Sequence, residues 1–88
     1  MEYSNEFLER AHRFSFGNRT LVMQSTACIC FYCLGTFDPS NIIEWIDDKD
    51  ADTAMCPLCG IDAVIPSKSE LPINDPQFIQ QMRTRYFW

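Results

Sequence analysis

With 88 residues, a formal net charge of −5 and 47% hydrophobic content, the chain is sized for one domain and too apolar for disorder. A core this small is marginal alone, so a staple is expected. No apolar run approaches the ~18 residues of a membrane span, and the acidic balance disfavours phosphate backbones as ligands.

The opening MEYSNEFLER lacks the basic-then-apolar layout of a signal peptide, so the expectation is a cytoplasmic protein with reduced cysteines. Residues 5 to 15 predict an amphipathic helix. Phe7, Leu8, Ala11, Phe14 and Ser15 share one face, Ser4 or Asn5 caps it, and Gly17 stops it. His12 lies near its end, as a capping or surface residue. Asn18 to Ala27 is read as a short helix capped by Asn18, with a strand as the alternative.

The sequence then places Cys28-Ile-Cys30-Phe-Tyr-Cys33 and, after 22 intervening residues, Cys56-Pro-Leu-Cys59-Gly60. Two Cys-x-x-Cys pairs at that separation have the ligand spacing of a tetrahedral four-thiolate site for one structural Zn2+, held by Cys30, Cys33, Cys56 and Cys59. Iron is the alternative ion. Gly60 supplies the positive φ that the turn after the second cysteine needs, Phe37 is placed to fold back over the metal, and Asp62 is a candidate to hydrogen-bond the knuckle. Cys28 is the surplus thiol: an alternative ligand to Cys30, a reactive thiol, or a small buried apolar residue, the last being adopted. Five cysteines is also an odd count for a closed disulfide framework.

Between the knuckles, Asp38-Pro39 predicts a helix start, with Ile42, Ile43 and Ile46 on its buried face and Trp45 at its edge. Glu44, Asp47, Asp48, Asp50 and Asp52 form an acidic run, a candidate contact for a basic protein surface. Strands at Thr53–Met55 and Ile61–Ile65 are expected to flank the second knuckle as a ribbon hairpin. A connector then leads to a helix starting at Pro76, capped by Asn74 or Asp75, with Phe78, Ile79, Met82 and Tyr86 facing the core. Tyr32 and Trp88 are candidate anchors for a partner or a second copy.

These features together (Asn18-Arg19, the Cys-x-Cys-Phe-Tyr-Cys run, Phe37, Ile43-Glu-Trp-Ile46, Thr53-Ala54, Cys56-Pro-Leu-Cys-Gly-Ile-Asp62-Ala-Val-Ile65, Pro72-Ile73, Phe78, Met82 and Tyr86-Phe87) resemble a family of short bacterial cytoplasmic proteins with no assigned activity. The likeness spans the chain from about residue 12, with Ala63 standing where Ser would be expected. It implies a cytosolic, zinc-containing protein and supplies no catalytic residues.

The expected fold is α+β, a small zinc-ribbon or treble-clef-like centre with N- and C-terminal helices. Its parts are a helical arm (1–27), the two-knuckle core (28–66), and a connector with the last helix (67–88). The expected function is a non-enzymatic, zinc-stabilised protein-interaction module with an acidic surface, and a homo-oligomer is left open. One alternative is a thiol-based redox or zinc-responsive switch. The other is a nucleic-acid-associated ribbon, which would need Arg10, Arg13, Arg19, Arg83 and Arg85 on one face. A Cys28–His12 catalytic pair would lack a third, orienting group.

Overall fold

In the computed structural model, which describes residues 2–47 and 51–87, helix α1 (Asn5–His12) begins where the Ser4 hydroxyl accepts the N–H of Phe7 at 3.1 Å. Leu8 and Ala11 share its buried face. A 3₁₀ turn over Arg13–Ser15 carries the helix to its expected end, and Gly17, at φ +51°, redirects the chain. The short helix α2 (Arg19–Met23) follows.

Among the described residues, β1 (Cys28–Cys30) is the middle strand of an antiparallel three-stranded sheet, between β2 (Thr36–Phe37) and β5 (Val64–Pro66). Every residue of β1 and β5 is buried. Alternation puts Cys28 and Cys30 on one face, with Phe37 opposite Cys28. A second, two-stranded sheet pairs β3 (Trp45–Ile46) with β4 (Thr53–Ala54).

Helix α3 (Pro76–Phe87) starts where Asp75 Oδ1 accepts the N–H of Gln77 at 3.0 Å, so Asp75 is the cap of the two expected. The Tyr3 hydroxyl donates to the other carboxylate oxygen. Together these donors hold Asp75 below the usual carboxylate range. Phe78, Ile79 and Met82 are buried as expected, and Tyr86 half-buried. Tyr3 stacks on Phe7, both rings meet Phe78 edge-on, and Arg85 pairs with Glu9 at 2.8 Å, locking α3 to α1. The result is a small α+β fold, with helices at both ends of the chain around short strands and four clustered cysteines. No helix is long and apolar enough to cross a membrane.

Two expectations are corrected. Asp38 and Pro39 do start a helix, with a reciprocal cap between Asp38 and Asn41, but it is one 3₁₀ turn over Pro39–Asn41. The chain beyond is extended: Ile42 is buried, Ile43 is 81% exposed and Ile46 39% exposed. β-Branched and aromatic residues at 42, 43, 45 and 46 favour extended backbone, and pairing with β4 decides the outcome. The ribbon hairpin around the second knuckle is also absent: β4 pairs with β3, and β5 with β1.

What separates β4 from β5 is Asn18. It does not cap α2 through its side chain. Instead its amide donates to the carbonyls of Phe14 and Val64, each at 2.9 Å, and its oxygen accepts the N–H of Ala54 at 3.0 Å. The carboxamide thus stands between the strands as an extra peptide group would, and it is 2% exposed.

Glu70 closes a 3₁₀ turn at φ +64°, a conformation that costs a residue with a Cβ roughly 1–2 kcal/mol. Glu70→Gly is expected to stabilise the protein by about 1 kcal/mol, read as a rise in the denaturant midpoint at unchanged slope. A lower midpoint would contradict this.

Candidate metal centre

Each knuckle is built by the same pair of backbone hydrogen bonds. In the first, Leu34 N–H donates to Cys30 O at 2.8 Å and Cys30 N–H to Gly35 O at 3.0 Å. In the second, Gly60 N–H donates to Cys56 O and Cys56 N–H to Ile61 O, both at 2.9 Å. The residue after the second cysteine is left-handed in both: Leu34 at φ +65° and Gly60 at φ +81°. Gly60 therefore does what was expected of it, whereas the first knuckle forces a leucine into the same conformation and places its glycine one residue later.

Folding this way leaves the N–H groups of each turn pointing at sulfur. Leu58 N–H donates to Cys56 Sγ at 3.3 Å. The two turns face each other, so that Cys30 Sγ lies 3.7 Å from Cys59 Sγ and Cys33 Sγ 3.8 Å from Cys56 Sγ. All four sulfurs lie within 4.8 Å of one another. A tetrahedron with metal–sulfur bonds of ~2.3 Å has edges of ~3.8 Å. The four cysteines can therefore hold a metal ion. Each knuckle contributes one buried sulfur residue (Cys30, Cys56) and one exposed (Cys33, Cys59).

The electrostatics point the same way. Burial pushes the Cys30 thiol far above its ordinary value, against the Cys33 and Tyr32 backbone N–H groups that favour its thiolate. Burial also raises Cys59, opposed by the Ile61 N–H. At Cys56 burial is outweighed by the N–H groups of Leu58 and Cys59 and by neighbouring thiols, and its pKa falls. Four sulfurs this close do not all ionise unaided, and a bound cation supplies the charge that lets them.

Cys28 lies outside this cluster. It is fully buried, and burial, then the charge of Asp38, push its thiol up to about 12. That is the environment of a core residue, unlike the exposed, electropositive setting of reactive thiols. Cys28→Val is expected to keep one metal per chain and shift stability by under about 1.5 kcal/mol; metal analysis with a melting curve checks this, and loss of the metal would make Cys28 a ligand.

The other predicted residues are dispersed. Asp62 is exposed, and among the described residues no N–H of the knuckle donates to it; its charge is felt instead at His12. Tyr32, 38% exposed, meets Phe87 edge-on at 4.8 Å and lies under the Arg83 guanidinium at 5.8 Å. In the acidic run, Glu44 and Asp47 are exposed. Asp52 is not: it pairs with Arg19 at 2.7 Å and accepts the Arg19 backbone N–H at 3.1 Å. Asp48, Asp50 and Trp88 lie outside the described residues. Of the five arginines, Arg19 and Arg85 are taken up by Asp52 and Glu9.

Some of the packing around the centre was not foreseen. His12 stacks on Tyr86, with centroids 3.8 Å apart and planes 11° from parallel, and it meets Phe16 and Phe31 edge-on. Burial holds its pKa below the ordinary value, against the pull of Asp62. Phe31, inside the first knuckle, is buried against Tyr86 and Phe87 of α3. The knuckle is thus clamped between the two ends of the chain. The doubled aromatics in Phe31-Tyr32 and Tyr86-Phe87 were the available signal.

No family model, curated protein or solved structure matches the chain.

Proposed function

We propose that the chain is a non-enzymatic, zinc-stabilised module that acts through protein contacts in the cytoplasm, as the resemblance to short bacterial zinc-knuckle proteins implies. The four-sulfur cluster at ligand spacing carries this reading. Zn2+ is favoured because the donors are thiolates in ribbon-type turns. With four protein ligands a zinc ion keeps no open position for water or substrate, so its role is to hold the fold. Zinc bound by four thiolates takes the formal charge from −5 to −7, which repels nucleic acid and favours a basic protein surface.

The test is capture from native cytosol by the tagged protein at low and high salt, with and without chelator. A partner lost on raising salt and on removing metal is the expected outcome. A folded, zinc-loaded protein that captures nothing, or whose partner ignores both treatments, would contradict the proposal.

A further inference from the structure

Among the described residues, the β3 edge of the β3–β4 sheet has no strand paired to it. In an antiparallel ladder, residue pairs alternate between those that exchange main-chain hydrogen bonds and those that turn these groups outward. Met55 N–H donates to Glu44 O at 3.1 Å, so Glu44 and Met55 face each other as a bonded pair. Trp45 and Ala54, one step along, are then the outward pair. Ala54 shows this directly, since its N–H leaves the ladder for Asn18 Oδ1. The N–H and C=O of Trp45 must point out of the opposite side of β3, and among the described residues nothing bonds to them.

The edge is short and carries charge, which limits indiscriminate pairing, yet it also presents apolar side chains to solvent: Ile43 is 81% exposed and Ile46 39% exposed. Glu44 and Asp47, both exposed, flank the outward-facing Trp45. Across the strand, Arg19 covers the Trp45 ring at 4.7 Å and pairs with Asp52, which fixes β3 against α2 and leaves Glu44 and Asp47, among the described residues, as negative charges at the edge.

We propose that β3 is a docking edge for an extended, basic segment of a partner protein, which adds to the sheet as a third strand. Main-chain bonds to Trp45 would hold it, Ile43 and Ile46 would contact its apolar residues, and Glu44 and Asp47 would pair with its lysines or arginines. A second copy of the chain is disfavoured as occupant, because β3 against β3 would gather four carboxylates, Glu44 and Asp47 of each copy, with no free cation among the described residues between them. This inference rests on the protein-binding function proposed above and names the chemistry of the partner.

The probe is a ten-residue peptide repeating Lys-Val-Val, whose lysines are spaced three apart as Glu44 and Asp47 are, with a Glu-Val-Val peptide as control, added to the isotope-labelled, zinc-loaded protein. The basic peptide is expected to shift the amide signals of residues 43–47 selectively and slow hydrogen exchange at Trp45. Its binding should weaken about tenfold or more between low and 0.5 M salt, as exposed charge pairs are screened. Glu44→Lys with Asp47→Lys, both at exposed positions, should reverse the preference towards the acidic peptide while zinc content stays at one. Shifts centred elsewhere, equal response to both peptides, or self-association through this edge in sedimentation would overturn the inference. If the double variant also keeps the partner captured from cytosol, the docking edge is wrong while the module survives; if the wild type captures none, the module itself fails.

Discussion

Cys30→Ser is expected to lose the metal and, with it, the fold. Apparent zinc-binding free energies of about 10–16 kcal/mol equal or exceed the whole stability of an ordinary small domain, about 5–15 kcal/mol. Taking one ligand in four as a proportional share costs about 3–4 kcal/mol, or roughly a factor of 10²–10³ in affinity. Cys30 is the severe case, because it is also the last residue of the central strand β1 and fully buried. Its serine would leave a hydroxyl beside three thiols whose ionisation depends on the cation. Chelator competition should show the loss of affinity, and far-UV circular dichroism the loss of structure. Excess chelator should unfold the wild type likewise. A Cys30→Ser protein that stays folded with one tightly held ion would contradict the account.

The second large effect is expected at Asn18, far from the sulfurs in sequence. Asn18→Ala leaves the carbonyls of Phe14 and Val64 and the N–H of Ala54 without their partner, in a site only 2% exposed. Each buried polar group stripped of its hydrogen bond costs about 1–3 kcal/mol, so the total should be about 3 kcal/mol or more. For a domain of this size that is a drop in melting temperature on the order of 15 °C. Asn18→Asp tests the mechanism: it keeps an acceptor for Ala54 but sets a carboxylate against two carbonyl oxygens, so it should cost at least as much. Because the knuckles carry their own backbone bonds, both variants should still bind one metal per chain under folding conditions. A change below about 0.5 kcal/mol for Asn18→Ala would mean that this side chain does not join the two strands.

The metal centre was legible in the sequence because its information is local. A Cys-x-x-Cys turn brings its own two sulfurs together and aims its own N–H groups at them, so spacing points to Cys30, Cys33, Cys56 and Cys59; that Cys28 is not in the sulfur cluster in place of Cys30 comes from the fold. The terminal helices were legible for the same reason, through Ser4 and Asp75 as caps and the apolar stripes behind them. Strand partners were not. Residues 42, 43 and 46 fit one face of a helix by periodicity, yet the segment is extended because β4 offers it a ladder. The second knuckle looked like a hairpin until Asn18, 36 residues before Ala54, took the N–H that a hairpin partner would have bonded. Asp52 read as part of a solvated acidic run, and only the fold brings Arg19 to it across 33 positions. Asn18 and Asp52 are ordinary cap and loop residue types, and nothing in their neighbours announced a long-range partner.

The central claim is that one ion shared by four thiolates holds this chain in shape. X-ray absorption at the metal edge of the purified, folded protein tests it most directly. The account predicts one zinc per chain surrounded by four sulfurs at about 2.3 Å, with no nitrogen or oxygen neighbour. A folded sample free of metal, or one whose ion carries only two sulfurs, would contradict it.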